Sequence, residues 1–264
     1  MKIIADIWRY VEMASHNPQN DDHPLLKNNV VFIPLQNDLD YGYILETKDR
    51  ILIMFRGTDG KAEGWLNNFS PYDLKGESEW GKNVVHKGFF ESWQNFEKPV
   101  KEFIFTFAKG ETNQEINWNN VGQIWKDKNL KKIFIGGHSR GANIGSLCAG
   151  FIAKMMGISC SCIVFGCPRL GTTEFRDKFN ALPIDCLRVI NEYDFANDLP
   201  PHSLGFRHHG RELILKNPPL HKIFRKIRNH YYSSYTQKIK EYCFNVGDTD
   251  GVIAMNETMK QVLV

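Results

Sequence analysis

The sequence has no long uninterrupted run of apolar residues. A helix needs about 18 or more of them to cross the hydrocarbon core of a bilayer, and no stretch of the 264 residues provides that. Charges at Asp6, Arg9 and Glu12 interrupt the N-terminal stretch, where a secretory signal would need an apolar core. We therefore expect neither a transmembrane segment nor a secretory leader.

The sequence also has little net charge. Lysine and arginine together number 33 against 30 aspartates and glutamates, which gives a formal net charge of +3. Proteins that bind nucleic acid need a concentrated basic surface to neutralise phosphates. This balance predicts no nucleic-acid partner.

Cysteines are few and scattered, and no two of the six form a C-x-x-C pair. The spacing of zinc ligands is therefore missing, and we expect no metal site. Buried unpaired thiols are typical of a reducing compartment. Together with the missing leader, they predict a cytoplasmic protein. The cysteines in apolar segments are Cys148, Cys160, Cys162, Cys167 and Cys186.

Beyond these absences, segments with strand and helix patterns alternate along the chain. Apolar residues make up 42% and charged residues 24%, which is ordinary for a globular protein. Such alternation predicts an α/β fold with a mostly parallel central sheet and helices on both faces. Strands are expected at 29–35, 41–48, 50–57, 131–137, 160–168, 186–194 and, at an edge, 212–216. Helices are expected at 4–15, 90–109, 140–156, 173–182 and from 229 onward.

The stretch KKIFIGGHSRGANIG, residues 131–145, contains the pattern G-x-S-x-G at Gly137, Ser139 and Gly141. A strand pattern precedes the serine and a helix pattern follows, which is the setting of a nucleophile elbow. Side chains two positions on either side would collide in so tight a turn, so glycine is required there. The helix N-terminus offers unpaired N–H groups to a developing oxyanion. A serine that merely caps a glycine-rich turn is the alternative.

A serine nucleophile needs a base and an acid that orients the base. Asp194 ends a predicted strand, at the same sheet edge as Ser139. His138 neighbours the serine and should point to the opposite face, which makes it a poor base. The order Ser, Asp, His requires a histidine after Asp194, and spacing does not choose among the candidates. These are His202, His208, His209, His221 and His230.

Seven blocks, in order between residues 51 and 235, resemble the class 3 lipase family, a branch of the α/β-hydrolases. They include FRGTD, GHSRG, DFANDLPP and NHYYSSY. The resemblance implies an α/β-hydrolase fold, a serine ester hydrolase activity and no metal or organic cofactor. It also marks residues 236–264 as a C-terminal extension of a single domain spanning residues 1–264.

The resemblance also implies roles for individual residues. Ser139 matches the nucleophile, Asp194 the triad acid and His230 the triad base. Thr58 and the backbone N–H of Arg140 match the two oxyanion donors.

Further positions match the family in part or depart from it. The segment after Thr58 matches the lid, with an apolar side formed by Trp65, Leu66 and Phe69. His208 falls on a histidine that is usually structural. Arg140 stands where leucine is usual, and its guanidinium would either bind an acidic substrate group or pair with a nearby carboxylate.

These observations predict a serine hydrolase of acyl lipids, acting on triacylglycerol or monoacylglycerol. The alternatives are a phospholipase A1-type enzyme, a short-chain carboxylesterase, a peptidase or thioesterase that uses the same triad, and a non-catalytic protein that binds a lipid or a partner. The basic stretch 221–230 is open to two interpretations, peripheral docking to a lipid interface or a solvated face. Residues 243–255 are expected to form a strand or a partner contact.

Overall fold

A sheet of seven strands forms the centre of the described part of the chain. The computed structural model describes residues 2–16, 24–26, 31–36, 40–58, 73–217, 228–253 and 255. Across the sheet, the strands follow the order 31–36, 41–46, 50–55, 132–138, 160–165, 184–191 and 211–215. The first three pair antiparallel, and each later neighbouring pair is parallel. The predicted mostly parallel sheet of an α/β-hydrolase is thus confirmed.

The strands are short and apolar. The sheet consists of β1 (Val31–Gln36), β2 (Tyr41–Glu46), β3 (Arg50–Phe55), β4 (Lys132–His138), β5 (Cys160–Phe165), β7 (Ile184–Asn191) and β9 (Arg211–Leu215). Two further strands, β6 (Gly171–Thr172) and β8 (Phe206–Arg207), pair separately as an antiparallel ribbon that the sequence analysis did not predict.

Helices cover both faces of the sheet. They are α1 (Lys2–Ser15), α2 (Lys87–Gly110), α3 (Val121–Asp127), α4 (Arg140–Met156), α5 (Thr173–Asn180) and α6 (Tyr232–Asn245). Helices α2 to α5 contribute to the core on one face. Helices α1 and α6 pack together over the other face.

Strand β3 shows how the alternation of side chains builds the two cores. Ile51, Ile53 and Phe55 enter the core under α2 and α4. Leu52 and Met54 enter the core under α1 and α6. Because side chains alternate along a strand, a strand buried on both faces is apolar throughout. The C-terminal ends of β3, β4, β5 and β7 meet at one edge of the sheet.

Two local features differ from what the sequence pattern indicated. Helix α3 lies within residues 111–129, where no element was predicted, because Val121, Ile124 and Trp125 share one buried face. A strand was one alternative for residues 243–255, but α6 continues to Asn245 and residues 249–253 are also helical.

Candidate active site

The turn between β4 and α4 holds Ser139 in a strained conformation, with φ 56° and ψ −124°. A Cβ on Gly137 would lie 2.2 Å from the carbonyl oxygen of Gly141. A Cβ on Gly141 would lie 2.3 Å from the carbonyl oxygen of Arg56, just beyond β3. Both contacts are closer than any side chain permits, so the two glycines allow the tight turn.

Three residues far apart in sequence meet at this turn. The hydroxyl of Ser139 lies 2.6 Å from Nε2 of His230. Nδ1 of His230 lies 2.9 Å from both carboxylate oxygens of Asp194. A hydroxyl, an imidazole and a carboxylate in this order form a proton relay in which the imidazole accepts the serine proton while the carboxylate fixes its tautomer.

The carboxylate of Asp194 is 3% exposed and has two further hydrogen-bond donors. The backbone N–H of Ala196 donates to Oδ1 at 2.9 Å. The hydroxyl of Tyr235 donates to Oδ2 at 2.8 Å and accepts from the backbone N–H of Asn191 at 3.0 Å. Burial and the neighbouring carboxylate raise the pKa of Tyr235 well above its ordinary value, so this hydroxyl keeps its proton as a donor.

Asparagine side chains hold the segment that carries His230 against the end of β7. The amide of Asn191 donates to the carbonyl oxygen of Asn229 and to the hydroxyl of Ser234, both at 2.9 Å. Asn229 in turn donates to the carbonyl oxygen of Glu192 at 2.7 Å. These bonds bring the residue before His230 to the strand that leads into Asp194.

His138 lies behind the imidazole of His230. It is buried, and its ring centroid is 4.7 Å from that of His230 and 4.4 Å from that of Tyr232. Burial holds the pKa of His138 well below its ordinary value, so the ring is neutral. It provides a flat, uncharged surface against which His230 packs.

The other candidate histidines lie elsewhere. His208 is bonded through Nε2 to the carbonyl oxygen of Asn197, and burial lowers its pKa to about 2. His209 is buried and bonded through Nε2 to the hydroxyl of Ser146. His202 begins a short 3-10 helix and is exposed, and His221 lies outside the described residues. Of the described candidates, His230 is the one hydrogen-bonded to Ser139.

The segment that follows β3 passes close to Ser139. A Cβ on Gly57 would lie 3.3 Å from the Cβ of Ser139, and the N–H of Gly57 donates to the hydroxyl of Tyr232 at 3.0 Å. Thr58 follows directly and is exposed. The segment that follows β3 therefore lies beside Ser139.

The guanidinium of Arg140 pairs with a buried carboxylate. Nε lies 2.8 Å from Oδ1 of Asp40, and Nη2 lies 3.1 Å from Oδ2. Nη2 also donates to the hydroxyl of Ser92 on α2. The sequence left two roles open for this side chain, binding an acidic substrate group or pairing with a carboxylate. In the structure it pairs with the carboxylate of Asp40.

Two parts of the sequence-based interpretation lie outside the described residues. These are the lid positions Trp65, Leu66 and Phe69, and residues 221–227 of the basic stretch. In the part of the chain that is described, no helix is long and apolar enough to span a membrane. Nor does that part contain a group of three or more metal-ligating side chains arranged around a metal position.

Asp40, Ser92 and Tyr235 belong to the site but were not identified from the sequence. Asp40 lies 100 positions from its partner Arg140, and Tyr235 lies 41 from Asp194. Their residue types are common and their spacing carries no periodic signal. Tyr235 does fall within the NHYYSSY block, which could have suggested it.

Comparison with known proteins identifies the family to which this geometry corresponds. The family model for Lipase (class 3) matches residues 52–204, more than half of the chain. The secreted mono- and diacylglycerol lipase LIP1 of Malassezia globosa is 37% identical over 97 residues, covering 33% of this chain and 30% of the relative. Phospholipase A1-II 4 of Oryza sativa is 28% identical over 175 residues, covering 62% of this chain and 42% of the relative. The matches thus span less than half the length of either relative.

Solved structures share the fold. The triacylglyceride lipase of Rhizomucor miehei superimposes with a TM-score of 0.63 at 19% identity, over 82% of this chain and 81% of that one. The Lip2 lipase of Yarrowia lipolytica superimposes with a TM-score of 0.57 at 15% identity, over 83% of this chain and 80% of that one.

The expectation of a cytoplasmic protein is wrong in the light of the Malassezia relative, which is a secreted lipase. Cysteines were a weak indicator of compartment here, because all six are free and buried. Burial raises the pKa of Cys160 and Cys167 to about 12, so these thiols stay protonated and unreactive. Thiols enclosed in this way are compatible with an oxidising environment.

Proposed function

The chain belongs to the class 3 lipase family, and from that premise we propose that it is a serine hydrolase that cleaves carboxylic esters of acyl lipids. Ser139 is the nucleophile, His230 the general base and Asp194 the acid that orients the base. The observation that carries the proposal is the imidazole of His230, which is shared between the Ser139 hydroxyl at 2.6 Å and the Asp194 carboxylate at 2.9 Å.

The reaction follows from these positions. Oγ of Ser139 attacks the ester carbonyl while Nε2 of His230 takes its proton. Asp194 stabilises the imidazolium that results, and His230 then returns the proton to the departing alcohol. Water repeats the sequence on the acyl-enzyme and releases the fatty acid.

The negative charge on the carbonyl oxygen needs donors that are in place before the reaction. The backbone N–H of Arg140, at the start of α4, is one such donor, and the hydroxyl and backbone N–H of Thr58 supply the other. The Arg140–Asp40 pair supports this role, because it restrains the residue whose backbone N–H we propose as an oxyanion donor.

Within acyl lipids, we propose neutral acylglycerols as the substrate. The one relative acts on mono- and diacylglycerol by name, and the other is named as a phospholipase A1. The charge of Arg140 is already balanced by Asp40, so this cation beside the nucleophile does not favour a phosphate-bearing headgroup. Phospholipid is therefore the second candidate, to be compared directly.

A substrate panel tests this proposal. Purified protein and its Ser139→Ala variant are assayed on p-nitrophenyl esters of increasing chain length, on mono-, di- and triacylglycerol emulsions and on phospholipid vesicles. We expect hydrolysis of acylglycerols by the parent chain and none by the variant. Hydrolysis confined to phospholipid would reassign the substrate, and the absence of any hydrolysis by folded protein would favour a non-catalytic lipid-binding role.

We also propose that the protein acts outside the cell, as the Malassezia relative does. The test is to express it in its own host with an internal epitope tag and to assay culture medium and cell lysate. Ester hydrolase activity that stays with the lysate would contradict this proposal.

A further inference from the structure

Helix α1 carries a carboxyl group that the proposed chemistry does not use. Glu12 is 3% exposed and lies where α1 packs against α6, behind the site. Its Oε1 lies 3.0 Å from the hydroxyl oxygen of Thr236. Its Oε2 is buried and has no hydrogen-bond partner among the described residues.

The hydroxyl of Thr236 has three neighbours and only one proton. Nε1 of Trp8 lies 2.8 Å away and can only donate. The hydroxyl donates to Oε1 of Glu12 at 3.0 Å, and the carbonyl oxygen of Tyr232, also at 3.0 Å, is the other acceptor within its reach. Among the described residues, the carboxyl group of Glu12 therefore receives one hydrogen bond, on Oε1.

The ionised form of Glu12 is poorly satisfied at this position, because Thr236 donates to Oε1 alone. Its second oxygen would remain a buried charge with no donor among the described residues. Hydrogen-bond geometry therefore favours the neutral carboxyl.

Among the described residues, burial and one hydrogen bond shift the pKa of Glu12, and no cation contributes. The titratable groups on the elements packed there are Arg9 and Tyr10 on α1, Tyr43 on β2, His138 on β4 and Tyr232, Tyr235 and Lys238 on α6, and Lys238 pairs with Glu241. Burial raises the pKa of Glu12 to about 7, opposed only by the hydrogen bond to Thr236. Electrostatics and geometry thus agree on a protonated Glu12 in mildly acidic solution.

The network leads directly to the site. Tyr232 and Tyr235 lie on the turn of α6 that Thr236 continues. The hydroxyl of Tyr232 accepts from Gly57 beside the oxyanion segment, and that of Tyr235 donates to Asp194. The ring of Trp8 lies 5.6 Å from that of Tyr232 and 5.5 Å from that of Tyr235.

We propose that Glu12 is a positioning residue that, in its protonated form, locks α1 to the start of α6 and so holds Tyr232 and Tyr235 against the site. Its ionisation places a buried charge with one unmatched oxygen between the two helices, which weakens their packing and lowers stability and turnover as pH rises towards neutrality. The effect on turnover rests on the proposed hydrolase function, whereas the effect on stability does not.

The sign of the pH effect follows from the two protonation equilibria. The pKa of Glu12 is higher in the folded protein than the ordinary 4.5 of an exposed glutamate. The folded state therefore holds a proton that the unfolded state has lost, and stability falls as pH rises between these two values. Above about 7 the loss is complete and stability no longer changes through this group.

The Glu12→Gln variant tests the inference, because glutamine keeps the shape and donor of the protonated acid. The melting temperatures of parent and variant are measured from about pH 5 to about pH 9. We expect the variant to gain several degrees on the parent as pH rises to about 8, with no further gain above it. Glu102→Gln, at an exposed glutamate on α2, is the control and should keep a constant difference. A constant difference for Glu12→Gln as well would overturn the inference.

Direct titration keeps the inference falsifiable if the variant does not fold. In the parent chain, carboxyl-carbon NMR of labelled glutamate should give Glu12 a midpoint well above those of the exposed glutamates. A midpoint among the exposed glutamates would contradict a protonated Glu12.

Measurements of ester hydrolysis then show whether Glu12 affects turnover as well as stability. The parent should lose kcat relative to Glu12→Gln as pH rises towards neutrality, with KM unchanged in both. Parallel profiles would show that Glu12 does not act on turnover. If neither protein hydrolyses any ester, the proposed function fails, and the melting and titration data still decide the state of Glu12.

Discussion

At the scale of single residues, the carboxylate of Asp194 receives more hydrogen bonds than orientation of the histidine alone requires. The backbone N–H of Ala196 and the hydroxyl of Tyr235 both donate to it. Such donors hold the carboxylate against Nδ1 of His230, where it would stabilise the imidazolium formed during proton transfer. Tyr235 is therefore expected to act on catalysis through Asp194.

Replacing Tyr235 with phenylalanine should lower kcat about tenfold and leave KM unchanged, because a hydrogen bond to a charged group contributes about 1.5–3 kcal/mol. It also leaves the buried N–H of Asn191 without its acceptor, so the melting temperature should fall. Tyr231→Phe is the matched control, since that side chain is 46% exposed. Equal kinetics for the two variants would show that the Tyr235 hydroxyl does not act through Asp194.

At the scale of elements, the site depends on how closely helix α4 approaches strand β3. Gly141 allows the first turn of the helix to lie against the carbonyl oxygens of Phe55 and Arg56. These are backbone atoms in the interior, so they have little freedom to move away from an added side chain. This contact brings Ser139, at the start of α4, close to the segment after β3 that leads to Thr58.

Gly141→Ala should therefore destabilise the protein by about 3 kcal/mol or more, since its Cβ would lie 2.3 Å from backbone oxygen. Gly110→Ala, at the last residue of α2, meets nothing within 4 Å and should be neutral or stabilising. Urea denaturation of both variants measures the difference. Similar midpoints would mean that α4 can shift away from β3 at little cost.

The ion pair between Arg140 and Asp40 joins three elements at the same place. It connects the start of α4 to the residue before β2, and Ser92 adds α2. The side chain of Asp40 is 4% exposed, so removal of Arg140 would leave a nearly buried carboxylate without this partner.

Arg140→Leu alone should destabilise the protein by about 3 kcal/mol, and Arg140→Leu combined with Asp40→Asn by clearly less. A double-mutant cycle by chemical denaturation measures the coupling between the two positions. Both variants keep a backbone N–H at position 140. A larger loss of kcat in the single variant would therefore come from displacement of this N–H. If the losses of stability from the two substitutions simply add, the ion pair itself contributes nothing to stability.

At the scale of the whole molecule, local patterns predicted most of the fold. Strands such as β3 and β5 are apolar on both faces, and the glycines around Ser139 are required by one sharp turn. Patterns of this kind are contained within a few neighbouring residues. The single domain over residues 1–264 stays a prediction.

The partners of the site were predicted less well, for a physical reason. His230 lies 91 positions from Ser139, and several histidines satisfied the same order along the chain. The resemblance to a family selected His230, whereas spacing did not. No sequence pattern pointed to a role for Asp40 or Glu12, because their partners Arg140 and Thr236 lie far away in sequence and meet them only in the folded chain.

The proposed hydrolysis depends on the relay from Asp194 through His230 to Ser139, and covalent labelling tests this relay most directly. The folded protein is treated with a fluorophosphonate probe, and the modified peptide is identified by mass spectrometry. We predict a single adduct on Ser139, lost in Ser139→Ala and strongly slowed in His230→Gln, both of which should remain folded. No adduct on folded parent protein, or an adduct on another residue, would contradict the account.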